Sequence, residues 1–235
     1  MLKFLGSGSG FADDHTSAYF VTKEEELVVI DCPVSAFQKL KKKDFAKYKD
    51  IYVLITHTHG DHIGGLGLFA QFVYFVVKKS INIVAPSYEV AKDIETLLII
   101  EGNELSWYKI ITVSELKHKD WFGRAILTEH SPQLKGKCFG YKLNIAGLNC
   151  IYTGDTSTLD PFLPYLERGS CLFVDVSVYY GMIHLKLEDV ISVFKMLNER
   201  GICVILMHLD DVNEAVKILK NNRFDSDWTC IAESE

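Results

Sequence analysis

The feature that most constrains this chain is a group of histidines and one aspartate that directly follows an apolar run. The run IYVLIT at 51–56 is typical of a buried β-strand, and it leads into HTHGDH at 57–62. Three imidazoles and a carboxylate cannot be buried together at a strand end without a compensating charge, because protonated imidazoles repel each other. A bound divalent cation would supply that charge.

The spacing within this segment predicts two ions rather than one. His57 and His59 are two apart in an extended segment and can turn toward the same metal. A sharp turn at Gly60 would let Asp61 and His62 face a second metal. Imidazole and carboxylate ligands suit Zn²⁺, and also Mn²⁺ or Fe²⁺, better than Ca²⁺ or Mg²⁺. We therefore expect two divalent ions as cofactors, with zinc favoured and manganese or iron left open.

Three further residues with the same chemistry follow apolar runs elsewhere in the chain. They are His130 after AILTE, Asp155 after YTG and His208 after ICVILM. Side chains at the ends of strands gather on one edge of an open sheet, so these three can converge on the loop at 57–62. Each residue alone would be interpreted as an ordinary turn or surface residue. The set of three favours a shared site.

The alternation of short β-rich runs with helical patterns predicts an α/β fold. Helical patterns occupy 65–79, 87–99, 187–200 and 212–221. Each half of the chain reads as strands followed by helices, which suggests sheets covered on their outer faces by helices. No linker-like composition divides the chain, so a single domain over 1–235 is expected. The β-rich runs are LKFLG, AYFV, ELVVIDC, IYVLIT, INIVAP, AILTEH, FGYKLNI, NCIYTG, CLFVDV, ICVILM and WTCIA.

Charge and cysteine usage narrow the class of protein and its location. A net charge of −6 without a block of like charges argues against non-specific nucleic-acid binding. The N-terminal MLKFLGSGSG lacks the apolar stretch of a secretory signal, and the apolar segment 65–77 is shorter than the ~20 residues of a membrane span. That segment is expected to form a buried helix. The 6 cysteines contain no CxxC pair and are expected to be reduced core thiols in a cytoplasmic protein with no membrane partner.

In these motifs the chain resembles the metallo-β-lactamase superfamily, whose HxHxDH loop stands here as HTHGDH. LGSGSG, ELVVIDC, EH at 129–130, YTGDT at 152–156 and MH at 207–208 extend the resemblance over most of the chain. The fold that it implies is a four-layer αββα sandwich with the metals at one edge of the sheets. The metal ligands that it implies are His57, His59 and His130 for the first ion, Asp61, His62 and His208 for the second, and Asp155 for both.

Within the superfamily, the sequence is similar to the ribonuclease Z and cyclic phosphodiesterase branch. His59 stands where the flavodiiron members have a Glu, and the third histidine lies in TEHSPQ, followed by Gly140 and Tyr141. The branch implies a phosphodiesterase that uses a metal-bridging hydroxide, with Asp61 orienting the attacking water in addition to binding metal. It also implies a further histidine that binds or protonates the phosphate ester. His184 matches that histidine, although a position just before a helix is an equally good interpretation.

Two departures from the branch define the expected substrate and partners. The segment between His130 and Asp155 is too short for a tRNA-gripping arm, and no CxxC motif matches the additional zinc site of the phosphonate-pathway cyclic phosphodiesterase. A small or cyclic phosphodiester is therefore expected, and tRNA is disfavoured. A lactonase or other carbonyl-ester hydrolase on the same metal site is the alternative, and a non-catalytic metal-binding protein is a third. The sequence leaves the oligomeric state open, with a homodimer as one option.

Overall fold

The computed structural model describes residues 2–179, 181–224 and 227–235. Its strands form two six-stranded sheets in which each strand lies beside its neighbour in the chain. The first sheet contains β1 (Lys3–Gly6), β2 (Ser17–Val21), β3 (Leu27–Ile30), β4 (Ile51–Leu54), β5 (Ile81–Ala85) and β6 (Tyr108–Thr112). The second contains β7 (Phe122–Thr128), β8 (Cys138–Ile145), β9 (Leu148–Tyr152), β10 (Cys171–Asp175), β11 (Cys203–Met207) and β12 (Thr229–Ile231). The α-helices are α1 (Val34–Leu40), α2 (Gly60–Ile63), α3 (Leu66–Phe72), α4 (Tyr88–Ile100), α5 (Leu187–Glu199) and α6 (Val212–Asn221).

The two sheets have the same plan of strand directions. Each begins with antiparallel pairs, β1 to β3 and β7 to β9, and continues with parallel strands, β3 to β6 and β9 to β12. Parallel strands are covered on both faces, so their sequences are continuously apolar rather than alternating. The runs LVVI of β3 and IYVL of β4 are buried at every position for this reason.

Three apolar cores separate four layers. The core between the two sheets contains Tyr141, Tyr152 and Phe173. A second core, which includes Phe69, packs the first sheet against α1, α3 and α4. A third core, which includes Phe194, packs the second sheet against α5 and α6. The order of layers is helix, sheet, sheet, helix. The predicted α/β fold with an αββα sandwich is confirmed.

Most predicted elements are present with small shifts at their ends. The helices expected at 87–99, 187–200 and 212–221 are α4, α5 and α6. Three elements were not predicted: α1, the single-turn helix α2 and β6. Helix α1 is only 7 residues long, too short for a clear helical period, and the β6 sequence YKIIT is only partly buried and does not alternate regularly.

The apolar segment at 65–79 differs from its prediction. It forms α3 and then a π-helical turn at Val73–Val77, which ends at Lys78 in a left-handed conformation. The expectation of a buried helix is wrong for the outer face, where Leu68, Phe75 and Val76 are exposed. The stretch Gly60–Val77 is long and apolar enough for a membrane span by composition, and 44% of it is buried within the structure. Buried core helices meet the same criterion.

The carboxyl ends of the parallel strands bring the polar motifs to one edge of the sandwich. Asp31 follows β3, His57 follows β4, Asp175 ends β10 and His208 follows β11. Asp31 and His208 have left-handed backbones, with φ of 57° and 59°. Such angles are uncommon outside glycine and are concentrated at functional sites.

At the C-terminal end, Glu235 links segments that are distant in sequence. Its carboxylate accepts hydrogen bonds from Lys3 Nζ at 3.0 Å, Lys43 Nζ at 2.8 Å and the Tyr19 hydroxyl at 2.8 Å. The Lys43 hydrogen bond, with a further contribution from Lys3, lowers the pKa of Glu235 from 4.5 to about 2. The charged form is therefore favoured in the folded protein.

We expect Glu235→Gln to lower the melting temperature modestly at pH 7, because three donors lose their anionic partner. A carboxyl group whose pKa is lowered by folding stabilises the folded protein at any pH above its unfolded-state pKa. This stabilisation is lost as the pH falls through the folded-state pKa. The difference from the wild type should therefore be constant above pH 4.5 and disappear as the pH falls toward about 2. Thermal denaturation of both proteins at a series of pH values in this range measures the difference in melting temperature. Glu233→Gln, at an exposed neighbouring position, is the control, and an equal effect of both variants would contradict the prediction.

Candidate metal centre

The loop after β4 presents its imidazoles through a short helix that starts immediately after it. His59 is extended, with φ of −67° and ψ of 150°, and precedes the first residue of α2. The single turn of α2 then directs Asp61 and His62 toward the same edge. The change from an extended to a helical backbone within a few residues explains how the loop can present its side chains in two adjoining groups.

The first group consists of His57, His59, His130 and Asp155, whose ligand atoms all lie within 4.8 Å of one another. The His59 Nδ1 atom lies 3.0 Å from His57 Nε2 and 3.3 Å from His130 Nε2. Asp155 Oδ2 lies 3.8 Å from His57 Nε2 and 3.6 Å from His130 Nε2. The loop and two distant segments of the chain thus meet as the sequence predicts.

The second group consists of Asp61, His62, Asp155 and His208, again with ligand atoms within 4.8 Å of one another. Asp61 Oδ2 lies 3.4 Å from both His62 Nε2 and His208 Nε2. Asp155 Oδ1 is 3.2 Å from His62 Nε2, and its Oδ2 is 3.3 Å from His208 Nε2. Asp155 belongs to both groups, so all seven residues predicted as metal ligands lie in one continuous cluster.

The donor atoms fit divalent cations. Burial is the largest cause that lowers the pKa of His57 and of His59, and the neighbouring imidazoles add to it. These rings are therefore neutral, with lone pairs available to a metal. The His62 Nε2 atom is buried and makes no hydrogen bond, although Asp155 is close to it. Imidazoles around a buried carboxylate are the donor set of zinc and related transition metals, and they support divalent metal binding at this edge.

The shared aspartate is held in its charged form by its surroundings. Burial alone would raise the pKa of Asp155, but the adjacent His208 and His62 hold it well below its usual range. Asp61 behaves in the same way, since its close contacts with His208 and His62 outweigh its burial and lower its pKa. The cluster therefore offers two carboxylates that are already ionised.

Two buried aspartates behind the cluster orient its histidines, a role that was not predicted for them. Asp31 accepts a hydrogen bond from His62 Nδ1 at 2.8 Å, and also from the Thr56 backbone at 2.8 Å and its hydroxyl at 2.7 Å. Asp175 Oδ1 lies 3.3 Å from His208 Nδ1. Each carboxylate thereby directs the other ring nitrogen, Nε2, into the cluster, an arrangement that raises ligand basicity in metal sites. The only sequence signal was an aspartate at the end of an apolar run.

His184 lies beside the cluster and is oriented by the same aspartate. Its Nδ1 atom lies 2.8 Å from Asp175 Oδ2, and its ring centroid is 4.9 Å from those of His130 and His208. Burial lowers the pKa of His184, but Asp175 raises it by more. The structure thus brings His184 to the cluster; its catalytic role stays a prediction.

A cavity of about 320 Å³ opens over the cluster. The N-terminal loop forms one wall through Gly10 and Phe11, and Ile183 and His184 form another. A Cβ at Gly10 would lie 2.8 Å from Asp61 Oδ2, so a larger residue here would push the Asp61 carboxylate out of its present position. Phe11 is fully exposed at the rim.

We expect Asp31→Asn to weaken metal binding by roughly 10- to 100-fold, the usual cost of losing an orienting carboxylate. The amide removes the negative charge behind His62 while keeping the shape of the side chain. Metal affinity is measured by competition with a coloured chelator. Glu26→Gln is the matched control, because Glu26 is a buried carboxylate that binds Trp121 and Lys119 instead. Equal affinity in Asp31→Asn and the wild type would contradict the orienting role.

Comparisons with known proteins identify relatives of this chain and solved structures with the same fold. The family model described as "Anti-Pycsar protein Apyc1" matches residues 1–225. The anti-Pycsar protein Apyc1 of Bacillus phage 010DV004 is 28% identical over 233 residues, covering 89% of this chain and 89% of that protein.

Two solved structures share the fold. The metallo-β-lactamase fold protein YhfI of Bacillus subtilis superposes with a TM-score of 0.75 at 17% identity, covering 99% of this chain and 96% of that one. A diphosphatase of the PhnP family has a TM-score of 0.71 at 18% identity, covering 99% and 94%. These two likenesses concern the fold alone. The family match covers nearly the whole chain, and the chain belongs to the anti-Pycsar protein Apyc1 family, as a metal-dependent, phosphodiesterase-like hydrolase with the metallo-β-lactamase fold.

Proposed function

We propose that this protein is a dinuclear phosphodiesterase that hydrolyses a small or cyclic phosphodiester. The observation that carries the proposal is the pair of adjoining donor groups that share Asp155. Relatives named as anti-Pycsar proteins and a structural neighbour named as a diphosphatase support phosphoester chemistry. A cyclic nucleotide monophosphate is the first compound to test.

Two zinc ions are the cofactors in this proposal, with manganese or iron as substitutes. When bound, such ions lower the pKa of water and stabilise negative charge on phosphoryl oxygens. His57, His59 and His130 would hold one ion, Asp61, His62 and His208 the other, and Asp155 both. Asp61 would also orient the attacking water, since its ionised carboxylate can accept a hydrogen bond from a water molecule beside the second group.

His184 is proposed as the residue that donates a proton to the leaving oxygen. Asp175 binds its Nδ1 atom, which leaves Nε2 as the nitrogen available to substrate in the cavity. The raised pKa of His184 favours the protonated ring that an acid needs. Asp175 is then a positioning residue for His184 and for His208.

The size of the site supports a small substrate. A cavity of about 320 Å³ is at the lower end of the range for small-molecule sites. The segment between His130 and Asp155, all of which the structure describes, consists of a short turn and the antiparallel pair β8–β9 without a projecting arm. The exposed ring of Phe11 at the rim offers a surface on which a nucleobase can stack. tRNA remains disfavoured under this proposal.

The domain organisation and the cellular location of the protein are also proposals. The chain 1–235 acts as one domain, located in the cytoplasm, where the 6 unpaired cysteines fit a reducing environment. The oligomeric state is left open, with a homodimer as one option, and light scattering of the purified protein measures it.

A substrate panel with metal removal tests the activity. We expect turnover of bis-p-nitrophenyl phosphate and of a cyclic nucleotide, loss of turnover after treatment with a chelator, and recovery on addition of Zn²⁺ or Mn²⁺. A lactone series run in parallel tests the carbonyl-ester alternative. Full activity in the presence of the chelator would refute the metal site, and hydrolysis of lactones alone would replace the phosphodiester by the alternative substrate. No turnover of any compound by the metal-loaded protein would favour the non-catalytic interpretation.

His57→Ala and Asp155→Ala should each reduce turnover by at least about 10³-fold, because each removes a donor from the buried cluster. Metal content, measured by elemental analysis, should fall in both variants. His118→Ala is the control, since His118 is exposed and lies outside the cluster. Normal metal content and turnover in Asp155→Ala would contradict the shared-carboxylate assignment.

His184→Gln should lower kcat by about 10²- to 10⁴-fold while the metal content stays unchanged, because general-acid catalysis contributes on that order. The loss should be small for p-nitrophenyl esters, whose leaving group needs no proton, and large for a cyclic nucleotide. Steady-state kinetics with both substrates separates the two cases. An equal loss with both would assign His184 to phosphate binding, and no loss with either would leave it a structural residue.

A further inference from the structure

A row of cysteines crosses the second sheet, far along the strands from the metal cluster. Cys171 and Cys203 are the first residues of β10 and β11, whose opposite ends reach the metal edge. Cys150 lies in β9. Cys171 is directly opposite Cys150 on one side and Cys203 on the other. Residues in direct register point to the same face of a sheet, so the three thiols are neighbours.

All three are free cysteines, and Cys171 stands between the other two. Adjacent strands lie about 4.8 Å apart, which falls within the Cα separation of about 4.4 to 6.8 Å that a disulfide spans. Either pair therefore meets the Cα-distance requirement of a disulfide.

A cavity of about 420 Å³ gives access to this row. Its walls include Cys150, Cys171, Cys203 and Cys230. Cys171 and Cys203 are partly exposed, whereas Cys150 is only 3% exposed. A small reagent in the cavity therefore reaches Cys171 and Cys203 before Cys150.

The row is suited to pairwise covalent chemistry rather than to a metal ion. Among the described residues, the groups of three or more metal donors that lie mutually close all surround Asp155, and none contains a cysteine. Three thiols in a line on successive strands cannot converge on one centre. The neighbouring Cys150 and Cys203 thiols lower the pKa of the Cys171 thiol, and the thiolate is the nucleophilic form.

We propose that Cys171 and Cys203 form a site of reversible oxidation by small hydroperoxides. The Cys171 thiolate attacks the outer peroxide oxygen, so the O–O bond breaks, a sulfenic acid forms and the alkoxide or hydroxide leaves with a proton. The Cys203 thiol then attacks the Cys171 sulfur, which forms the disulfide and releases water. In total two thiols lose two electrons, and the hydroperoxide is reduced to an alcohol, or to water when it is hydrogen peroxide. A dithiol reductant reverses the reaction by exchange. The site goes beyond the proposed hydrolysis and uses none of its residues.

Mass spectrometry of the folded, full-length protein tests the proposal with hydrogen peroxide as the probe. After brief exposure, remaining thiols are alkylated, and proteolytic peptides are mapped without reduction. We expect a peptide pair joined through Cys171 and Cys203, the loss of two alkylation sites, and recovery of both after treatment with dithiothreitol. Cys32 and Cys138, which are buried elsewhere, should stay reduced.

Two variants distinguish this pair from the neighbouring thiols. Cys203→Ser should prevent the disulfide and leave Cys171 trapped as a sulfenic acid that reacts with dimedone. Cys230→Ser, a change in the same cavity outside the register pair, should leave the disulfide intact. A link from Cys171 to Cys150 or Cys230, or no loss of thiols in the wild-type protein at peroxide levels that oxidise the unfolded chain, would overturn the proposal. Peptide mapping of the wild type decides the matter even if a variant fails to fold.

Discussion

The buried carboxylate of Asp155 is the constraint on which the rest of the site depends. It lies between two groups of imidazoles and is only 3% exposed. An isolated charge at such a position costs several kcal/mol, so it persists only where compensating positive charge is close by. His62 and His208 supply that charge in the protein by itself, and their raised pKa values follow from the same contact. Cations at the cluster would take over this role.

In both sheets, a buried aspartate at the end of a strand orients histidines of the cluster. At the end of β3, Asp31 holds His62, and at the end of β10, Asp175 holds His208 and His184. Asp31 accepts the Nδ1 proton of His62, Asp175 accepts that of His184 and lies 3.3 Å from His208 Nδ1, and in each ring Nε2 is left for the cluster. Because both aspartates are fixed by backbone N–H donors, from Thr56 and Thr156, the ring positions are set by the ends of the strands rather than by flexible loops.

The sequence predicts the parts of this protein that have a repeating or clustered signal. Buried parallel strands appear as continuous apolar runs, and α4, α5 and α6 have a full helical period, so these elements are recognisable. The cluster is predictable because several of its residues are adjacent at 57–62 and the others end apolar runs. Asp31 and Asp175 escape prediction as orienting groups, since a single aspartate after a strand looks like any turn residue. Their partners are fixed only when the strands are placed side by side.

The donors of the cluster come from both sheets: His57, His59, Asp61 and His62 follow a strand of the first, and His130, Asp155 and His208 follow strands of the second. An ion held among them ties the two halves of the sandwich together at this edge. Ligands that bind only the folded state raise its stability in proportion to the logarithm of their concentration. Newly made chains that fail to acquire metal would therefore open at this edge more often and be degraded sooner, so that the surviving population is enriched in loaded molecules.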